Sequence, residues 1–576
     1  MDAIIGFFLI ILPIVLALVM LVFMKKTADV TGVIVWFVTF VIAVIAFQTD
    51  IVVAITSSVV GIVRSFPISL MVATSILMMT YMQVTGALQR LIVFFKTLGG
   101  GSRPMQILMI SFGLGLFLVG IGATPVSMLP PVMLALGFNP MVAVALPSIG
   151  YDPLTTYALL GIPAVVFTDQ YSLWASPITL QEGGAAFSWY MPVVSMGIAI
   201  SMLWIAGGRK LLTGRDGIIL AAICGITAGF TAIVCNVLLP LTTLTNVFAG
   251  AAVLVVLFLF NRVRHKPIFD RTTLDDEDLQ VQQSMSIYRA SIPWVVLVIL
   301  SLVTNLIPQV FHFLFVDLAF PVQIGGHPSI INNRFLWQAY TLMLISTLVS
   351  MPFLNTDRKA LRRTMSIFMK RAPRPVLAAA IFFAMAEVMN FSGWIVSPTG
   401  VWLNPTDPIN GLDPTTNMIY LLASLTAGIG LIYPVLAPFM GLLGGFISGS
   451  ETSAIAMFTR YHVETSKLIG ANAIHVAASN GIGGGLASVL SPAKIQNAAA
   501  VIDKIGIEGQ VIRYGLVVAF LMTVFTSVMT LLWAFPLSVF TIGFASGIIL
   551  AVIIAGMIVY RIKRPDQTEP STVHQS

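Results

Sequence analysis

Residues 438–453 read PFMGLLGGFISGSETS, and this stretch decides the fold. Two apolar segments, each predicted to be too short to cross a bilayer, meet at the polar tip 448–453. Hydrocarbon offers no hydrogen-bond partner to backbone N–H or C=O groups, so such a tip must be packed in protein or line a watery cavity. The tip also carries Glu451, and ionisable groups inside membranes are usually functional. The stretch therefore predicts a re-entrant hairpin with a binding site at its tip.

The composition indicates an all-α polytopic membrane protein. Hydrophobic residues make up 57% of the 576 residues, charged residues only 9%, and the mean hydropathy is +0.96. A span needs about 20 apolar residues, and the chain has room for about 13 transmembrane helices. The net charge of +7 arises from basic residues in short loops, so no nucleic-acid partner is expected.

The apolar runs define the predicted spans. These are residues 4–23, 30–47, 65–84, 141–168, 189–206, 217–235, 242–260, 290–307, 336–353, 375–394, 468–490, 514–534 and 540–560. Two further segments, about 105–137 and 431–459, contain Gly-rich polar tips and are predicted to be re-entrant hairpins. The N-terminus then lies outside and the C-terminus in the cytoplasm. Of the 30 basic residues, only Arg64, Arg334, Arg460 and Lys467 fall outside, which agrees with the positive-inside rule.

This topology divides the chain into an N-terminal repeat (1–261), a cytoplasmic loop (262–289), a C-terminal repeat (290–561) and a cytoplasmic tail (562–576). The loop contains the acidic run DDED at 275–278, which is either a solvated surface or a magnesium site. Residues 357–374 are rich in arginine and lysine and predict a helix lying on the anionic inner leaflet.

The two repeats are predicted to be inverted copies. The first hairpin opens towards the cytoplasm and the second towards the outside, and each precedes a span with a polar interruption, at 150–153 and at 479–485. Gly122 precedes Asp152 by 30 residues, and Gly449 precedes Ser479 by 30. Paired interrupted segments of opposite orientation indicate the midplane site of a secondary transporter.

The predicted site binds an anion, because broken helices and hairpin tips present free N–H groups and positive helix ends. The candidate substrate-binding residues are Gly122, Thr124, Pro125, Ser448, Gly449, Ser450, Thr452, Ser453, Asn480 and Ser491. The alternative is that these small residues only allow helices to pack closely.

Five ionisable residues fall in the predicted membrane zone. Glu451, Asp152 and His475 are the candidate proton- or ion-coupling residues, with the alternatives that Glu451 caps the second hairpin arm and that Asp152 begins a helix. His475 faces either Glu451 or substrate, or serves packing. Lys494 attracts anions at the inner mouth or is an interfacial lysine. Glu387 makes a structural hydrogen bond or relays protons.

At these residues the chain resembles the lactate permease family of prokaryotic secondary carriers. The resemblance rests on PFMG at 438–441, GSETS at 449–453, ASNGIGG at 478–484, LSP at 490–492 and LGIP at 160–163. It implies uptake of L-lactate, and often of glycolate or D-lactate, with protons. It also implies an inverted-repeat fold whose characterised relatives are often homodimers. The sequence VGIGATP at 119–125 departs from the family's first hairpin tip, which usually carries an acid and a phenylalanine.

The resulting hypothesis is a proton-coupled importer of lactate or a related small monocarboxylate in the prokaryotic cell membrane, without a cofactor or metal. The alternatives are a carrier of another organic anion or an inorganic oxyanion, and a cation/proton antiporter that uses sodium. A membrane enzyme is the third hypothesis, but Walker, Rossmann, HExxH and nucleophile-elbow motifs are absent from the sequence. Without an ATP-binding motif, transport must draw on an ion or substrate gradient.

Overall fold

The structure is a computed structural model that describes residues 2–98, 102–123, 125–150, 152–214, 216–267, 269–270, 272, 274–354, 356–504, 506–538, 541–543 and 545–549. Most of these residues are helical, and the strands form two short antiparallel hairpins, β1 (Phe320–Val322) with β2 (Ile331–Asn333) and β3 (Ile395–Val396) with β4 (Trp402–Leu403). The prediction of an all-α polytopic membrane protein is confirmed.

The helices of the first half are α1 (Ala3–Leu18), α2 (Ala28–Ile45), α3 (Ile51–Arg64), α4 (Phe66–Val84), α5 (Ala87–Lys96), α6 (Arg103–Ile107), α7 (Gly115–Gly120), α8 (Pro125–Ala135), α9 (Pro140–Ile149), α10 (Ala158–Trp174), α11 (Leu180–Ser188), α12 (Met191–Thr213), α13 (Gly217–Ile233) and α14 (Thr245–Val263). Those of the second half are α15 (Asp276–Ser284), α16 (Ile287–Leu306), α17 (Pro308–His312), α18 (Ala339–Ser350), α19 (Arg358–Arg371), α20 (Pro373–Asn390), α21 (Met418–Ala427), α22 (Tyr433–Ser448), α23 (Glu451–Ile469), α24 (Ala473–Leu486), α25 (Pro492–Val501) and α26 (Glu508–Ala534). Short π or 3-10 turns extend or connect several of them, including Leu108–Leu114, Asp152–Tyr157 and Ala487–Leu490.

Eleven helices of the described chain are long and apolar enough to cross a membrane, or twelve if α19 and α20, which meet at 41°, count as one bent span. The sequence predicted about 13. The predicted span 336–353 is the 12-residue helix α18, and 540–560 lies largely outside the described residues. Helix α3, with 14 residues, had not been predicted.

Both predicted hairpins are pairs of helices joined at the expected tips. α6, Leu108–Leu114 and α7 lead into α8, and α22 leads into α23. The arms are longer than predicted, however: α22 has 16 residues and α23 has 19, so α23 is about 28 Å long at 1.5 Å per residue. Two of the eleven candidate spans, Arg103–Gly120 and Gly430–Ser448, are the first arms of the two predicted hairpins, so the prediction that these arms are too short to cross a bilayer is wrong. Helix α23 is also long enough by length alone, but it is not among the candidate spans.

The interruption predicted at 150–153 is confirmed. Helix α9 ends at Ile149, and the 3-10 turn Asp152–Tyr157 separates it from α10. At the start of α10, Leu159, Leu160 and Gly161 all have left-handed φ values, of 60°, 58° and 72°. Non-glycine residues rarely adopt this conformation, so the chain is strained at the break.

The second predicted interruption, at 479–485, is wrong, because α24 runs through all seven residues. Its glycines serve close packing instead. A Cβ atom at Gly483 would lie 1.9 Å from the carbonyl oxygen of Pro438 on α22, and one at Gly441 on α22 would lie 1.8 Å from that of Asn480. Only glycine allows these backbones to approach so closely. The chain leaves the α24 helix later, in the turn Ala487–Leu490.

The two segments predicted to lie on the cytoplasmic side have defined structures. The basic segment forms the predicted helix, α19, which Asp357 caps. In the acidic run, Asp275 caps α15, and the backbone N–H of Asp278 lowers the pKa of Asp275. Asp278 is buried and pairs with Lys96 at 2.6 Å. Among the described residues no three His, Cys, Asp or Glu side chains form a metal-binding group. The run is therefore a helix cap and an ion pair.

Candidate functional site

The tip of the second hairpin lies against the break between α9 and α10. Glu451 is the first residue of α23 and only 4% exposed. The hydroxyl of Thr156, in the turn Asp152–Tyr157, donates a 2.6 Å hydrogen bond to Glu451 Oε1. The side chain of Ser450 caps α23 by accepting from the N–H of Ser453. The alternative role considered for Glu451 was to cap α23. Ser450 makes this cap instead, and the Glu451 side chain contacts the break between α9 and α10.

Helix α24 closes a third side of this site. Its Gly485 approaches so closely that a Cβ atom there would lie 2.8 Å from Glu451 Oε2 and 2.9 Å from Thr155 Oγ1. The glycine-rich segment of α24, predicted as a broken helix, thus brings an intact helix against the carboxylate.

Asp152 and Lys494 complete a cluster of three charged groups. Asp152 begins the 3-10 turn and is 4% exposed, and the charges of Lys494 and Glu451 both act on it. The ammonium of Lys494, on α25, donates to Ser488 Oγ at 2.8 Å. Lys494 therefore lies near Asp152 and Glu451. This position supports the prediction that Lys494 attracts anions and not the alternative that it is an interfacial lysine.

Several oxygens of this cluster can accept further hydrogen bonds. Oε2 of Glu451 and the hydroxyl of Ser453 are buried and have no hydrogen-bond partner among the described residues, and the hydroxyl of Ser488 lies at the buried carboxylate of Asp152. Buried polar atoms are normally satisfied. The arrangement can thus bind a ligand that brings donor groups to the carboxylates and a negative charge to the ammonium.

The remaining predicted residues of the second hairpin have mostly structural contacts. Ser448 donates to the carbonyl oxygen of Gly444 at 2.8 Å, and Gly449 takes a left-handed φ of 71° to end α22. A Cβ atom at Gly449 would lie 3.0 Å from the hydroxyl of Ser491, so these two positions adjoin. Thr452 is buried in the first turn of α23.

Asn480 and His475 do not lie at the carboxylates. Asn480 is fully buried and donates to the carbonyl oxygen of Ala454 at 3.2 Å, which ties α24 to α23. His475 precedes Gly485 by ten residues on α24, which is about 15 Å along the helix axis. Its ring packs on Trp533 at 5.6 Å. The prediction that His475 faces Glu451 is therefore wrong, and packing is the role that its contacts support.

The first hairpin tip has other neighbours. Gly122 is buried with a φ of 89°, its carbonyl oxygen accepts from Ser75 of α4 at 3.3 Å, and a Cβ atom there would overlap Met343 of α18. Pro125 begins α8, and Thr124 lies outside the described residues. The prediction that this tip contributes to the same site as Glu451 stays a prediction.

A second charged cluster was not recognised in the sequence. Arg64 and Arg460 had been placed in outer loops, but Arg64 ends α3 and pairs with Glu387, and Arg460 lies fully buried within α23. The Arg460 guanidinium donates to the carbonyl oxygen of Asn390 and stacks 3.9 Å from the ring centre of Trp174. The ion pair with Arg64 agrees with one of the two roles considered for Glu387, that of a structural hydrogen-bond partner.

The comparisons with known proteins agree on one family. The family model described as L-lactate permease matches residues 6–537. The glycolate permease GlcA of Escherichia coli K12 is 22% identical over 567 residues, which cover 91% of this chain and 95% of that protein. The L-lactate permease of Salmonella typhi is 24% identical over 474 residues, covering 76% and 79%. That of Halalkalibacterium halodurans is 22% identical over 538 residues, covering 90% and 95%.

Among solved structures, that of Neisseria gonorrhoeae MtrF aligns with 89% of this chain and 96% of its own, at 12% identity and a TM-score of 0.42, a similarity too low to bear on the fold. The match to the family model, in contrast, covers more than nine-tenths of the chain, including both hairpins and the charged cluster at Glu451. This chain is a multi-pass membrane protein that belongs to the L-lactate permease family.

Proposed function

We propose that this chain is a secondary transporter that takes up lactate, or a related small 2-hydroxy acid, together with a proton. The relatives named L-lactate permease and glycolate permease support the substrate class. The observation that carries the proposal is the convergence of Glu451, Asp152 and Lys494 at the break between α9 and α10. In the orientation that the positive-inside rule favours, the N-terminus lies outside the cell and the C-terminus in the cytoplasm.

The geometry suggests how a 2-hydroxy acid is bound. Its carboxylate pairs with the ammonium of Lys494, beside the hydroxyl of Ser488. Its hydroxyl group donates to the unpartnered Oε2 of Glu451, or to the carboxylate of Asp152. A site built around a hydroxyl donor discriminates strongly against analogues that lack it, because the buried acceptor is then left unpaired. Propionate and pyruvate, which have no 2-hydroxyl group, should therefore compete poorly with glycolate and lactate.

Charge balance supports the coupled proton. Two carboxylates share one ammonium, and an arriving substrate anion adds another negative charge to a buried site. Uncompensated charge is costly where water is excluded. A proton that binds with the substrate restores the balance, and Glu451, with Thr156 on one oxygen and the other oxygen unpartnered, is the proposed carrier.

The test is accumulation of labelled L-lactate in proteoliposomes with an imposed pH gradient, and separately with a sodium gradient. Wild-type protein should accumulate lactate with the pH gradient alone, and Glu451→Gln and Asp152→Asn should lose this accumulation while staying folded. Glu464→Gln is the matched control, because Glu464 lies near the other end of α23 and pairs with Lys467. Undiminished pH-driven accumulation by Glu451→Gln would remove Glu451 as the proton carrier. Accumulation that depends on the sodium gradient would show that sodium, and not a proton, is the coupled ion.

A further inference from the structure

A cavity of about 620 Å³ lies on the side of the protein that carries the β hairpins. It is bounded by the end of α10, the start of α11, the segment before α14 and the region around α17. Its polar lining consists mainly of hydroxyl and amide side chains, among them Thr168, Thr179, Thr242, Thr243 and Asn305. The exposed residues Pro240, Pro308 and Val316 stand at its rim, so it opens to the surface. A lactate-sized anion and several waters would fill only part of it.

Arg334 supplies the guanidinium of this cavity, and its position is fixed. Its Nε donates to the carbonyl oxygen of Phe315 at 3.1 Å, and the guanidinium stacks 4.1 Å from the centre of that ring. One further nitrogen contacts Asp169 at 3.4 Å, a long distance for an ion pair, and the Asp169 side chain is 54% exposed. The contact is long and the Asp169 side chain is half exposed, so the pair is weak although the Arg334 side chain is only 11% exposed. A carboxylate that makes a shorter contact with the guanidinium can replace Asp169.

The cavity wall adjoins a larger group of charged residues. The charges of Arg334 and Arg64 both act on Asp169, and those of Arg64 and Arg460 both act on Glu387. Three arginines thus alternate with two carboxylates, and Glu464 also acts on Arg460. Of these arginines, Arg334 lines the cavity.

One wall of the cavity contacts the break between α9 and α10. A Cβ atom at Gly161 would lie 3.1 Å from Cα of Thr243 and 3.2 Å from the carbonyl oxygen of Thr242. Gly161 ends the left-handed bend that follows the turn bearing Asp152 and Thr156. The cavity and the Glu451 site therefore contact the break between α9 and α10 from different sides.

We propose that this cavity is a separate entry site, in which Arg334 binds the carboxylate of a small organic anion before the anion reaches the carboxylate cluster. The proposal rests on the proposed transport function for the identity of the anion. In the positive-inside orientation the cavity faces outward. Asp169 contacts the guanidinium of Arg334 when no anion is bound, and the arriving anion displaces it.

The first experiment measures L-lactate transport from each side of the membrane in vesicles of defined orientation. Arg334→Gln should raise KM about fivefold to tenfold for transport from the cavity side with kcat in that direction unchanged, as expected for the loss of one charge-assisted contact. In the opposite direction kcat/KM should fall by the same factor, because the transport equilibrium fixes the ratio of the two values. Arg334→Lys should retain most of the affinity. Asp169→Asn, which removes the competing carboxylate, should lower KM on the cavity side, a change that impaired folding would not produce. Arg374→Gln is the control, because Arg374 pairs weakly with Asp29 at 3.9 Å and is largely exposed.

The second experiment needs no transport. Gln181→Cys, with Cys224 and Cys235 replaced by alanine, places a thiol at a half-buried position of the cavity lining. A negatively charged methanethiosulfonate should modify it faster than a positively charged one, L-lactate should slow the reaction, and Arg334→Gln should remove both effects. Equal modification rates for the two reagents, or an unchanged KM in Arg334→Gln, would overturn the entry site. Wild-type protein that fails to transport lactate would refute the proposed function instead, and the preference for the anionic reagent would still decide the entry site.

Discussion

Gly485→Ala is the smallest substitution that tests the arrangement of the candidate site. The added Cβ atom would lie 2.8 Å from Glu451 Oε2, 2.9 Å from Thr155 Oγ1 and 3.0 Å from Thr155 Cβ. Carbon atoms make comfortable contacts at about 3.5 Å and beyond, so both neighbours must move by about 0.5 Å or more. The atoms in the way are side-chain atoms, which rotate more easily than backbone moves. The substitution should therefore displace Glu451 and Thr155 while the helices stay in place.

The expected magnitudes separate function from stability. Misplacing a reacting group by about 1 Å can cost roughly 100-fold in rate, so lactate uptake should fall about 10-fold to 100-fold. Overpacking costs about 1–3 kcal/mol, but alanine in place of a helical glycine regains about 1 kcal/mol. The free energy of unfolding should therefore change little in comparison with the transport rate.

The assay is the initial rate of pH-driven lactate uptake, with thermal unfolding in detergent as the measure of stability. Gly509→Ala is the matched control, because a Cβ atom there has nothing within 4 Å and the residue lies in the first turn of α26. It should transport like wild-type protein. A wild-type rate in Gly485→Ala would refute the reasoning that the position of Glu451 at this helix surface governs transport.

Two further predictions concern stability. Gly61→Ala should clearly lower the melting temperature, because the added Cβ atom would lie 2.5 Å from Cα of Ala384. Backbone atoms of α20 cannot rotate away as a side chain can. An unchanged melting temperature would contradict this close packing of α3 on α20. Lys96→Met should make the segment around α15 more sensitive to limited proteolysis, because it leaves the buried Asp278 without its ammonium partner, and breaking such a pair costs about 3–5 kcal/mol. The double variant with Asp278→Asn should recover much of the resistance, since both charges are then removed.

The sequence predicted the second hairpin well because local chemistry specifies it. Glycine at 449 provides the left-handed end of α22, and Ser450 provides the cap of α23. The break after α9 was also predictable, since a glycine and a proline flank Asp152. The glycine run at 479–485 was misread for an equally local reason. Glycines that break a helix and glycines that allow two helices to touch have the same sequence pattern, and only the position of α22 distinguishes them.

What the sequence could not provide is contact between distant segments. Thr156 and Glu451 are 295 residues apart, and Arg64 and Glu387 are 323 apart. No periodicity within one segment predicts such pairs. Thr156 had a weak signal, because it is a hydroxyl residue four positions after Asp152 within the same break. Arg64 was misplaced because α3 is too short to be found by a search for spans, so its last residue was taken as part of a loop.

The two buried charge clusters differ in a way that bears on mechanism. Glu387 has a direct ion-pair partner in Arg64, with Arg460 nearby, so its charge is compensated within the protein. Asp152 and Glu451 share the single ammonium of Lys494. A substrate carboxylate that binds Lys494 removes even this compensation from the two acids. Under the proposed function, a positive charge that enters with the anion would compensate the two acids, and this is the physical reason for proposing a coupled proton.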